Sequence, residues 1–345
     1  MTDALPDDLP DDLPQHGPAE TYTARSPADL LAMVPYLLGF HPRDSLVVLT
    51  FGVPGGSFHA RVDLPTEPAD QEQVAADVLA AVLRNEVPQV ALVCYSRDAV
   101  ASQQQCTLLR ESLLKAGVEV IDVLRADGER YFHVPELGSA GTPYDLVSHP
   151  FTAERVYRGD VVLDSRQQLA DTLVALPDEE THAAVGEHVD RIFEAVRDFP
   201  GGGMALLRTE ARWMQRRIRL HLRDHRPLSS SDAGRMLALA CLTEVRDVAW
   251  SEMTRATARH HVGLWRDLVR RCPDDVLPPA ASLLAFASWL AGDGALAWCA
   301  VDRALGSDPD YSMAHRVADA LVGALPPTAW TPVPEGDLPV FAGGD

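Results

Sequence analysis

The apolar period of the chain changes once along its length, and that change limits the folds open to it. Between residues 45 and 134 apolar residues come in short dense runs, such as "SLVVLTF", "QVALVCY" and "VEVIDVL", broken by glycine and proline. Runs of that length bounded by turn residues read as strands. The intervening "ADQEQVAADVLAAVLRN" and "DAVASQQQCTLLRESLLKAG" read as helices, and "VPGG" and "DGE" as hairpin turns. The resulting ββαβαββ order over residues 22–150 predicts a mixed β-sheet with helices packed on it, an α/β domain. From residue 165 the apolar spacing is three to four, so residues 151–325 are predicted to form a second, all-α domain. With 345 residues, the chain exceeds one typical core, and two domains fit its length.

The ends differ from the middle. Residues 1–21 carry the repeat "LPDDLPDDLP" and six acidic residues with no Lys or Arg, which predicts a disordered acidic Pro-rich tail. Residues 326–345 are expected to be a loose C-terminal tail. The net charge of −20 argues against binding polyanions, whether nucleic acid or anionic membrane. No basic segment leads into an apolar one at the N-terminus, and "GDG" at 292–294 breaks the longest apolar span, so neither a secretory signal nor a membrane span is expected. Five widely spaced cysteines without C-x-x-C suggest reduced thiols and a cytoplasmic location, with no structural metal and no cofactor.

The first predicted helix is well marked. Ser26 suits its N-cap, Pro27 its first position, Asp29 its first turn and Gly39 its C-cap, while Pro35 should kink or shorten it. Near the other end, Leu284, Ala285, Ala297, Val301, Ala304 and Pro309 match the spacing of a tetratricopeptide-like helical hairpin. An ordinary α-hairpin explains the same spacing.

Three segments together resemble a known family. "SPADLLAMVPYLLGFHPRDSLVVLTFG" with "ARVDLP", then "GTPYDLVSHPFTAERVYRGDVVLDSRQQLA", then "ASWLAGDGALAWCAVDRALGSDPDYSMAHRVADAL" are similar to domain of unknown function 4192, an actinobacterial family. The resemblance spans roughly residues 22–325. It implies an actinobacterial, cytoplasmic protein, and it brings neither an activity nor functional residues.

Two loops and one ridge are the candidate sites. "GFHPRDS" gathers His41, Arg43 and Asp44 before a buried strand, yet Gly39 and Pro42 make the same stretch a helix-to-strand corner. Ligands in α/β sheets sit beyond the carboxyl ends of strands, and this loop enters an amino end, so the corner reading is favoured. By that rule the better place is "VCYSRDA", where Ser96 and Arg97 leave a strand and Ser96 or Asp98 would cap the next helix. Arg125 ends the adjacent strand and joins this candidate ligand site. No phosphate-binding glycine motif is present. The histidines His41, His59, His133 and His149 lack metal-ligand spacing, and adjacent His260 and His261 point apart on a helix.

Arg208, Arg212, Arg216, Arg219, Arg223 and Arg226 recur every three or four residues and share one helix face. This basic ridge suggests nucleic acid or a phosphorylated partner. Internal neutralisation by Glu179, Glu180, Glu187, Asp190, Glu194 and Asp198 of the preceding helix is the competing account. The leading expectation for the whole chain is therefore a non-catalytic interaction or regulatory module with a protein partner. The alternative is an enzyme or small-ligand binder at the carboxyl edge of the sheet. Nucleic-acid binding through the ridge ranks third.

Overall fold

The computed structural model describes residues 23–53, 58–135, 138–176, 178–198 and 203–342. The predicted acidic tail and the "PGGS" stretch of the first hairpin lie outside these residues. In chain order the elements are α1 (Pro27–Leu38), β1 (Ser45–Phe51), β2 (His59–Asp63), α2 (Pro68–Arg84), β3 (Gln89–Tyr95), α3 (Ala99–Lys115), β4 (Glu119–Ala126), β5 (Arg130–His133) and β6 (Thr142–Pro143). Helices then follow: α4 (Pro150–Tyr157), α5 (Arg166–Asp171), α6 (Glu179–Asp198), α7 (Gly203–Asp224), α8 (Ser230–Ala240) and α9 (Thr243–Ser251). The last four are α10 (Ala258–Arg271), α11 (Leu277–Leu290), α12 (Gly294–Ser307) and α13 (Ser312–Val322). The chain is a mixed α/β layer joined to a helical part.

The six strands run β2-β1-β3-β4-β5-β6 across the sheet. Only β3 and β4 are parallel; α3 provides their crossover, and every other neighbour is antiparallel. Strand β3 is buried from Val90 to Tyr95, which means both of its faces are covered. Leu46, Val48, Val90, Leu92, Cys94 and Val123 pack against α2 and α3 on one face. On the other, Val47, Leu49, Ala91, Val93 and Leu124 belong to an apolar cluster that continues without a break into α7–α13. Burying each such side chain contributes about 1.5–3 kcal/mol. The sheet and the helices therefore share a core on that face.

The start of α1 agrees with its sequence signals. Ser26 accepts from the Asp29 amide, and Gly39 takes the left-handed conformation at φ 77°. The helix continues through Pro35, which is buried against the core. The apolar spacing of residues 230–250 suits one helix, but the stretch forms two, α8 and α9, separated at Cys241 and Leu242. Helices α11 and α12 form a hairpin across Ala291-Gly292-Asp293, with Asp293 capping α12 through Leu296. Every residue of α11 is buried. No helix among the described residues is long and apolar enough to cross a membrane.

Residues 326–342 depart from expectation. They are not loose: they form a strap over α7, α9 and α11. The Trp330 ring stacks on Trp250 at 5.2 Å and donates from Nε1 to the Met253 carbonyl at 2.9 Å. Leu338 and Val340 are buried. Proline-rich composition suggested a tail, but alternate apolar residues in "DLPVF" supply enough burial to dock it.

Helices α6 and α8 meet at Gly234, where an added methyl would lie 2.5 Å from Ala184 Cβ and 2.8 Å from the Val185 nitrogen. The expected result for Gly234→Ala is a loss of about 1–3 kcal/mol despite better helix propensity. Gly263→Ala, where no atom lies within 4 Å, should be neutral or stabilising; urea unfolding of both variants checks the contrast.

Candidate functional site

The corner "GFHPRDS" and the loop "YSRD" meet at one sheet edge. Strand β1 runs antiparallel to β3 and pairs Ser45 with Tyr95, so its amino end lies beside the carboxyl ends of β3 and β4. The topological argument against the corner therefore fails: it assumed a parallel neighbour. Asp44 adopts φ 42°, a left-handed conformation that aspartate tolerates better than most residues. Its carbonyl accepts from Leu64 N at 2.9 Å, and its carboxylate Oδ1 accepts from Ser96 Oγ at 2.9 Å. Arg125 reaches the same loop, donating to the Ser96 carbonyl at 3.2 Å.

Of the six candidate ligand residues, then, Asp44, Ser96 and Arg125 are in direct contact. His41, Arg43 and Arg97 flank them with exposed side chains. Although the residue is exposed, partial desolvation by its neighbours holds the His41 imidazole below the usual range, and nearby Asp164 opposes this. The backbone of His41 is committed, donating to Leu163 at 2.9 Å, while Phe40 bridges to the same residue.

Most of the polar capacity at this edge is used internally. Asp98 caps α3 by accepting from Val100 N and Ala101 N, so those helix N–H groups are not available to an anion. Ser96 Oγ accepts from Asp98 N at 3.1 Å. The Arg125 guanidinium lies 3.9 Å over the Phe132 ring and 4.0 Å from Asp127. Arg61 donates to Ser45 Oγ at 2.9 Å and pairs with Asp63 at 2.6 Å. Asp127, Phe132, Arg61 and Asp63 were not among the sequence candidates. Only their places at strand ends, two to four residues from turn signals, could have marked them. Two open grooves lie elsewhere: about 570 Å³ between α2 and α3, and about 380 Å³ beside Asp178 and Arg271.

The histidines are dispersed. His59 accepts from Thr50 N, His133 bonds Asp122, and His149 caps α4 while contacting Asp29 at 3.1 Å. Among the described residues no group of three or more His, Cys, Asp or Glu side chains is placed to hold a metal ion. Cys94 on β3 and Cys106 on α3 are buried in the core between sheet and helix, and the five cysteines are unbridged.

Arg208, Arg212, Arg216, Arg219 and Arg223 of the ridge lie on α7, Arg226 falls beyond its end, and the partners of Arg208, Arg212, Arg219 and Arg223 lie outside α6. Arg219 grips Glu252 with two bonds of 2.8 Å. Arg212 pairs with Glu335 of the strap and lies 4.3 Å over the Phe341 ring; Arg208 donates to the Val340 carbonyl at 3.2 Å. Arg223 pairs with its neighbour Asp224. Gln215 donates to both Glu335 and Glu252, and with Arg212 holds the Glu335 carboxyl below its usual range. The partners came from distant sequence, which no local pattern reveals.

A family model described as Domain of unknown function (DUF4192) matches residues 27–328. No curated protein and no solved structure matches the chain.

Two outcomes follow from these contacts. Arg212→Glu should lower stability by about 1 kcal/mol, through an exposed ion pair and a cation–π contact. Arg216→Glu, a ridge position with no strap contact, should stay within about 0.5 kcal/mol of the parent; thermal melts of both measure the difference. Burial also pushes the imidazoles of His59 to about 4 and of His261 to about 3. Folded-state values below the unfolded 6.5 mean the unfolded chain takes up protons first as pH falls. Their contribution is therefore complete above pH 6.5 and fades below it. Urea unfolding at pH 5.5 against pH 7.5 should show a loss of roughly 1 kcal/mol or more per histidine.

Proposed function

This chain belongs to the family described as Domain of unknown function (DUF4192), and we propose that it acts as a non-catalytic interaction module that binds a protein partner. The observation that carries the reading is the set of exposed large apolar side chains on α4 and its flanks. Val147, Val156, Tyr157 and Val161 are 86%, 61%, 92% and 77% exposed, and α4 buries none of its residues. Sets of that kind mark association surfaces. The flanking charges are matched locally, Arg155 with Asp160 and Arg158 with Glu154. A net charge of −20 opposes an anionic lipid surface. A protein partner with a neutral apolar patch fits best.

A second reading keeps a small ligand at the sheet edge, because Asp44, Ser96 and Arg125 converge at the carboxyl ends of β3 and β4. The bonds these groups make to one another weigh against it. Nucleic acid at the ridge has the least support, since Arg208, Arg212 and Arg219 bond the chain's own residues.

A photo-crosslinking residue at Tyr157, introduced in the cells the protein comes from, tests the choice. One discrete protein adduct is expected there, none from exposed Ile121, and none at Tyr157 once Val156→Asp is added. Native mass spectrometry showing instead a stoichiometric small mass, lost in Arg125→Met, would replace this reading with the sheet-edge ligand.

A further inference from the structure

We propose that the α7 ridge is a peptide-binding groove for an acidic–apolar segment of a partner protein, kept closed by the chain's own strap until that segment displaces it. This goes beyond the α4 surface and rests on different elements. The occupant's chemistry is read from what sits there now. Glu335 takes Arg212, Gln215 and, at 4.0 Å, Arg219. Three and five residues on, Leu338 and Val340 are buried, and Phe341 lies beneath the Arg212 guanidinium. A carboxylate followed by apolar side chains at those intervals is the ligand class.

Three features make the strap exchangeable. Between Pro326 and Phe341 its regular structure is two turns of three residues each, so no strand ladder ties it to the body. All thirteen helices and six strands described above precede it in the chain, so lifting residues 335–341 breaks no connection between them. Its charge contacts are partly exposed, hence weakened by salt. Arg212 and Arg219 reach the strap carboxylate Glu335, Arg219 also holds Glu252, and Arg208 meets the strap at the Val340 carbonyl. In cis the strap competes at an effective concentration in the millimolar range. A partner must therefore match it closely or arrive tethered through another surface.

The test uses the full chain and a fluorescein-labelled peptide of residues 331–345. Wild-type chain should bind the peptide weakly. Glu335→Arg, which weakens the strap and leaves the groove intact, should bind it at least tenfold more tightly by anisotropy. Adding Arg212→Glu to that chain, substituting Leu338→Ser and Val340→Ser in the peptide, or raising the salt should each abolish the gain. Hydrogen exchange of the wild-type chain supplies an independent arm. Amides of residues 335–342 should exchange faster than those of α7 and α11, reporting a strap that opens alone. A folded Glu335→Arg chain that ignores the peptide overturns the proposal, and so does a strap protected as strongly as α11. Strap-swapped dimers of Glu335→Arg would make the occupant a second copy of this chain, which also overturns it. None of these outcomes bears on the Tyr157 crosslink.

Discussion

The structure depends on covering strands β1 and β3 from both sides. Their residues are apolar on both faces, so no single layer satisfies them. Helices α2 and α3 cover one face. The other has no comparable pair in the α/β half, only α1, and the remaining cover comes from the helices that follow. What looks like two successive units in the chain is therefore one shared core on that side. The Arg84 and Asn85 side chains at the end of α2 add polar ties, donating to the carbonyls of Gly323 and Ala324 just beyond α13.

The same constraint organises the polar edge. Because β1 enters the sheet between β2 and β3 and antiparallel to both, its preceding corner is brought to the side where crossover loops leave β3 and β4. Two loops that are 52 residues apart in the chain then share the Ser96–Asp44 bond. The bond ties the corner to the crossover loop, and Arg125, held over Phe132, ties the crossover loop to β4. Much of the polar capacity of this edge is spent on internal bonds, whereas α4 is left with apolar side chains facing outward.

The legible parts of the sequence were the local ones. Ser26, Pro27 and Gly39 announce α1 because capping is decided within four residues. The strands and most of the helices follow from apolar spacing alone. What stayed hidden required long-range pairing. The direction of β1 relative to β3 has no local signature, so the corner and the crossover loop could not be placed together in advance. The ridge on α7 was visible as a period of three to four. Its partners, Glu252 and Glu335, lie 33 and 123 residues away from Arg219 and Arg212, and the expectation fell on the nearest acids instead. The strap was misjudged because proline content masked the alternation of Leu338 and Val340. Cys241 and Leu242 show the opposite limit: an apolar run with helical spacing hides a break that tertiary packing imposes.

The stacking of Trp330 on Trp250 has a consequence for how the molecule is made. A ribosome delivers the strap after α7, α9 and α11 have emerged. Until then the Trp250 and Phe286 rings and the basic ridge stand open, and a nascent chain displays the very surface that the finished one conceals. Emergence of the strap is thus also the moment at which the molecule changes what it shows to its surroundings. A chain that ended before Trp330 would lack that cover for as long as it lasted.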